Sequence, residues 1–144
     1  MDSEDAAELS WNAIRRFVFL RANGCCEYCR SCEDNTGQSM EVEHIDPNGG
    51  DIADNLCLAC GNCNRSKATV TVAIDPVTSE PVFLFNPRQQ KWSEHFQWID
   101  ESSRVEGKTA VGRATIARFK MNRPRIVNAR KRWVAAGYHP PKDD

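Results

Sequence analysis

Seven cysteines fall into two clusters, Cys25, Cys26, Cys29 and Cys32, then Cys57, Cys60 and Cys63. No other feature restricts the chain as much. Two Cys-x-x-Cys pairs can be drawn from them, Cys26/Cys29 and Cys60/Cys63, with thirty residues between. Four thiolates arranged as two knuckles suit one closed, tetrahedral Zn²⁺ site. A buried cysteine can act as a small hydrophobe, but two spaced pairs are poorly explained that way. Cys29/Cys32 and Cys57/Cys60 share the spacing. The turn expected after Gly24-Cys25 and the helix start expected after Cys63 favour Cys26, Cys29, Cys60 and Cys63. Cys25, Cys32 and Cys57 are then bystanders. The odd cysteine count, with an acidic start (MDSEDAAELS) that lacks the apolar segment of a secretory signal, predicts reduced thiols and no disulfide framework. A cytoplasmic location follows from the same reading.

The chain has 144 residues, 40% apolar and 27% charged, enough for one domain with or without an appendage. No apolar run approaches the length of a membrane span. The net charge of −1 conceals a division. Between Arg104 and Arg132 stand ten Lys/Arg and one acid; the rest holds nine bases and nineteen acids. A basic tail on an acidic body points to a polyanion partner, or to a charge match between the two halves. A solvated helical face is the plainer alternative.

Trp11 to Ala22 reads as a helix, with Ile14, Phe17, Val18 and Arg21 on one face, Ser10 as cap and Gly24 as stop. Residues 1–9 read as a flexible acidic arm. Met40–Ile45 and Leu56–Ala59 read as short strands about a wide loop, Pro47 to Asp51, and Gly61–Ala68 as a helix. Val70–Ile74, Val82–Phe85, His95–Ile99 and Arg104–Glu106 read as further strands, the last two as a hairpin. Thr109 can cap a helix to about Lys120, and Asn122 a second, with Pro124 in its first turn and Gly137 as its stop. His139 onward reads as a tail.

Between the knuckles lie Glu43-His44-Ile45-Asp46-Pro47, Gly49-Gly50, Asn55 and Cys63-Asn64-Arg65-Ser66-Lys67. Glu43 and His44 are strand neighbours whose side chains point to opposite faces, so a shared centre needs a bend. Carboxylate and amide oxygens favour Mg²⁺ or Mn²⁺ over zinc. A histidine beside such an ion can take a proton from water. Asp46 before Pro47 reads as a turn residue. His95 and His139 lack metal-like neighbours and read as structural.

The run CEYC, EVEHIDP, GG, NLCLAC, CNRSK resembles the HNH endonucleases, over roughly residues 21–68. The resemblance implies an α+β chain with a ββα-metal core, zinc-stapled over residues 10–70. A β-hairpin region and basic helices over 71–144 would pack on it. It implies that His44 is the general base, that Asn55 braces the loop, and that Asn64 and Glu43 hold the catalytic ion. Glu43 departs from the family, where aspartate is commonest before the base. The resemblance also implies that Cys26, Cys29, Cys60 and Cys63 hold structural zinc, and that the reaction is hydrolysis of DNA phosphodiesters with one Mg²⁺ or Mn²⁺ ion. One such unit carries one cutting centre, so a homodimer or a larger nuclease assembly is a possible partner arrangement. Segment 86–141 is similar to tails on small bacterial members, which suggests a bacterial or phage origin. Arg65, Lys67, Arg113, Arg118, Arg123 and Arg130 are the cations expected to contact phosphate. The competing reading is a zinc-dependent module that binds nucleic acid without cutting it.

Overall fold

The computed structural model describes residues 3–142, with side chains from Ser10 onward. Among the described residues the chain mixes helices with three two-stranded antiparallel sheets. Among the described residues no helix is long and apolar enough to cross a membrane.

Helix α1 (Ser3–Arg21) starts before the Trp11 expected of it. Of the acidic arm expected over 1–9, residues 1 and 2 lie outside the described residues. Asn23 and Gly24 take left-handed backbone, and the Gly24 N–H donates to Phe19 O at 3.0 Å, which stops the helix. Val18 is fully buried, but Phe17, expected beside it, is 51% exposed. The core contact of α1 is thus narrower than a full apolar face. A short helix, α2 (Glu33–Thr36), follows the first knuckle.

Strand β1 (Glu41–His44) pairs with β2 (Leu56–Ala59), with Glu41 opposite Ala59 and His44 opposite Leu56. All of β2 is buried, because both its edges are covered. β1 takes one edge. On the other, the Glu27 N–H donates to Leu58 O (2.9 Å), and the Glu27 carboxylate accepts from the Leu58 N–H (2.8 Å). Helix α3 (Gly61–Lys67) packs on both strands. A second hairpin joins β3 (Val72–Ile74) to β4 (Pro81–Phe83). After α4 (Trp92–His95), a third joins β5 (Phe96–Ile99) to β6 (Arg104–Gly107).

Helix α5 (Ala110–Phe119) is capped by Thr109, whose hydroxyl accepts from the Gly112 N–H at 3.1 Å. Gly112 is required at its position: a Cβ there would lie 2.0 Å from His95 O. Helix α6 (Pro124–Ala135) has Pro124 in its first turn as expected, but Arg123 stands at its cap and makes no side-chain cap bond. Asn122, expected there, instead exchanges two 2.8 Å hydrogen bonds with the Val105 backbone. A side-chain amide reproduces the donor and acceptor of a strand, so Asn122 serves the free edge of β6 instead of a helix end. The expected tail is also anchored. His139 is buried at 4.5 Å from Trp98, and its Nε2 lies 3.0 Å from Ser102 O.

One core cluster joins these parts, from Val18, Tyr28, Leu56 and Leu58 to Phe85, Trp92, Phe96 and Phe119. Tyr28 meets Phe119 edge-on at 4.8 Å, and Trp92 stacks on Phe96 at 5.0 Å.

Candidate active site

The four selected cysteines meet. The sulfurs of Cys26, Cys29, Cys60 and Cys63 all lie within 4.8 Å of one another, and Cys29 and Cys60 are 3.7 Å apart. Four sulfurs at about 2.3 Å from a tetrahedral zinc stand about 3.8 Å apart. The tetrad is therefore compatible with zinc in donor type, number and spacing. Arg30 takes left-handed backbone (φ 64°), which turns the first knuckle, and Cys26 and Ser31 bond across it at 2.8 Å. In the second, the Cys63 N–H donates to the Cys60 sulfur at 3.4 Å at the start of α3. Crowding among these thiols splits their proton affinities. Burial pushes Cys26 up, contact with Cys26 raises Cys63, and contact with Cys26 lowers Cys29 and Cys60.

The bystanders behave differently from one another. Cys57 is buried beside the Tyr28 hydroxyl (3.4 Å), and burial pushes its thiol up to about 12. It is a neutral core group. Cys25 and Cys32 form a disulfide, which corrects the expectation of reduced thiols throughout. The bond closes the loop that carries Cys26 and Cys29, where an isolated β-bridge already pairs the two residues.

His44 ends β1, half-buried, with Nε2 2.6 Å from the Asp51 carboxylate in the following loop. Sequence reasoning missed Asp51; the signal was an acid seven residues downstream, at the end of Pro-Asn-Gly-Gly-Asp. Asn55 is buried and its amide spans the same loop. Oδ1 accepts from the Asp46 N–H, and Nδ2 donates to Asp46 O and Gly50 O, each at 2.9 Å. Gly49 is needed beside it, since a Cβ there would lie 2.6 Å from the amide carbon. Asp46 accepts from the Asn48 N–H at 2.9 Å, a turn role.

Glu43 and Glu41 share the strand face turned toward α3. Glu43 is buried, with Oε1 3.2 Å from Lys67 Nζ, and Lys67 also donates to His44 O at 3.1 Å. Desolvation raises the Glu43 carboxyl above its usual range. Its Oε2 is buried without a hydrogen-bond partner, a donor that a hard cation could use. Asn64 donates its amide N–H to Glu41, which leaves its amide oxygen as the atom that could ligate a cation. Glu43 and Asn64 thus sit along one strand–helix seam, each with a different partner.

The expected phosphate contacts divide. Arg65 and Arg118 are exposed, and Arg118 donates to Ser66 O at 2.7 Å. Arg123 is half-buried. Arg113 makes a bidentate pair with Asp75 at 2.8 and 2.9 Å, which holds the Asp75 carboxyl well below its usual range. Lys67 and Arg130 are corrected outright: at 2% and 0% exposure neither can reach a phosphate. Lys67 answers Glu43. Arg130 donates to Ser103 O (3.1 Å), lies 5.2 Å from the Trp98 ring centre, and is pulled down to about 10 by burial.

No curated protein and no solved structure matches the chain. The family whose model matches is HNH endonuclease, over residues 26–69, the stretch that holds all four clustered cysteines, His44, Asn55 and Asn64.

Proposed function

We propose that the chain is a metal-dependent HNH endonuclease that hydrolyses DNA phosphodiester bonds. One observation carries the reading: His44 ends a strand beside a loop that Asn55 braces, inside the segment that matches the family. Asp51 takes the Nε2–H of His44 and leaves Nδ1 free to accept a proton. His44 then withdraws the proton of a water that attacks phosphorus in line. Such a base contributes typically ~10²–10⁴-fold. Asn55 keeps the loop, and with it Asp51, in register with the imidazole. Glu43 and Asn64 would hold a Mg²⁺ or Mn²⁺ ion, which when bound supplies charge stabilisation to the departing oxygen. Cys26, Cys29, Cys60 and Cys63 would hold zinc and fix the knuckles against β2 and α3. Exposed Arg65 and Arg118, with Arg123, would supply sequence-independent phosphate affinity. A ββα-metal arrangement of β1, β2 and α3 and a soluble bacterial or phage setting belong to the same reading, as does a possible homodimer.

A second reading has its own support. Glu43 is engaged by Lys67 and Asn64 by Glu41, which suits a zinc-dependent module that binds nucleic acid without cutting. Supercoiled-plasmid nicking with Mg²⁺ or Mn²⁺, against EDTA, separates the two. Ion-dependent nicking is expected; binding with no nicking under either ion would leave the second reading.

A further inference from the structure

Arg130, on α6, is fully buried, and among the described residues no Asp or Glu pairs with it. Its Nη1 donates to neutral oxygens, Ser103 O at 3.1 Å and Asn122 Oδ1 at 3.4 Å. Nε and Nη2 are buried with no partner. The Trp98 ring, 5.2 Å away, adds only a weak attraction. A guanidinium keeps its proton inside a protein, so a buried one needs an opposite charge. Arg113 has one in its bidentate pair with Asp75; Arg130 has no such group. Its charge is answered from the knuckles instead. Burial disfavours that charge most, Cys29 and Cys63 favour it, and Arg123 and Arg104 oppose it. The packing agrees. Ile126, one turn before Arg130 on α6, lines a cavity together with Arg123, Ser31 of the first knuckle and Cys60 of the second. Trp98, beside the guanidinium, packs 5.3 Å from Trp92, whose ring lies 5.3 Å from the Arg30 guanidinium of the first knuckle.

We propose that Arg130 is the counter-charge of the cysteine tetrad, a buried cation that offsets the negative charge four thiolates keep when they hold one Zn²⁺. The inference rests on the zinc reading of Cys26, Cys29, Cys60 and Cys63, and not on DNA cleavage. A divalent ion cancels half of the charge of four thiolates, so the loaded tetrad is a buried dianion. A buried dianion and a buried guanidinium are each unfavourable alone and offset one another when near. The match holds only with the ion bound. Without it the thiols take up protons, and Arg130 is left with no opposite charge. Folding of α6 onto the knuckles is thereby coupled to the metal, through a residue sixty-seven positions after the last of the four cysteines.

The test uses the full chain and reads zinc affinity, by competition with a chromophoric chelator, in the parent, Arg130→Gln and Arg130→Lys. Arg130→Gln removes the charge and keeps a donor for Ser103 O; it should bind zinc about 10- to 100-fold more weakly. Arg130→Lys keeps the charge and should recover most of that loss. Arg130→Met is the second charge-free variant, read the same way should glutamine unsettle the core. Melting temperatures give an independent readout. Arg130→Gln should lower the value of the zinc-loaded protein and leave the value in EDTA no lower than the parent's, whereas a packing role alone would lower both alike. Unchanged zinc affinity in the charge-free variants, an equal loss in Arg130→Lys, or equal destabilisation with and without zinc would each overturn the inference. A parent chain that binds no zinc would overturn the tetrad reading itself, and this inference with it. Equal zinc affinity in a zinc-loaded parent and Arg130→Gln would overturn the role of Arg130 alone.

Discussion

Replacing Asn55 by alanine removes three hydrogen bonds at once, to Asp46 N–H, Asp46 O and Gly50 O. Each bond contributes about 0.5–1.5 kcal/mol net, and the residue is buried, so the groups left behind are poorly reached by water. The expected loss is about 2–4 kcal/mol. Asn55→Asp keeps the acceptor and loses both donors, while a charge is set against two carbonyls. It should cost at least as much. Gly49→Ala should reproduce the effect with Asn55 itself kept, because its Cβ would stand 2.6 Å from the Asn55 amide and displace it. The amide is tied by three bonds and has nowhere to swing. Gly50 is the control. Nothing lies within 4 Å of a Cβ there, so Gly50→Ala meets only the penalty of its φ of 77°, about 1–2 kcal/mol. Urea unfolding at saturating zinc measures all four. The reasoning fails if Asn55→Ala lies within about 0.5 kcal/mol of the parent, or if Gly50→Ala costs more than Gly49→Ala.

Other perturbations probe the cysteine tetrad and the buried ion pairs. Cys26→Ser or Cys60→Ser should lower zinc content and stability together, whereas Cys57→Ala and Cys32→Ser should keep one zinc per chain by elemental analysis; loss of metal from either would overturn the choice of ligands. Lys67→Met leaves the Glu43 carboxylate buried and unpaired and should cost about 3–5 kcal/mol, with much of it recovered in the Lys67→Met, Glu43→Gln double variant; a double variant no better than the single would contradict the pairing. Arg113 holds the Asp75 carboxyl below its usual range, so the stabilisation it gives is whole at neutral pH. It fades as the pH falls below about 4 and is lost as the pH falls through the lowered folded value. Asp75→Asn should therefore flatten acid unfolding below about pH 4, and an unchanged acid limb would exclude the pair as its cause.

The legible parts of the sequence were those fixed by local chemistry. Leu56–Ala59 is a strand with the expected bounds, and Thr109 caps α5, because a short apolar run and hydroxyl capping act within a few residues. The cysteine tetrad was legible because metal-ligand spacing survives any route the chain takes between the knuckles. Long-range pairing was hidden. Nothing local says that Lys67 turns inward to Glu43, twenty-four residues earlier, or that Arg130 ends beside Trp98. A run of basic residues reads alike whether its members face water or a buried carboxylate. The Cys25–Cys32 bond was missed for a different reason: compartment was used to exclude it, while the knuckle's own geometry brings the two residues opposite each other.

The general-base assignment is tested most directly by comparing the parent chain with His44→Ala in one experiment: zinc content by elemental analysis, and supercoiled-plasmid nicking in Mg²⁺ or Mn²⁺. Equal zinc in both, with nicking in the parent and none in the variant, is the predicted result. Undiminished nicking by a zinc-loaded His44→Ala protein would contradict it.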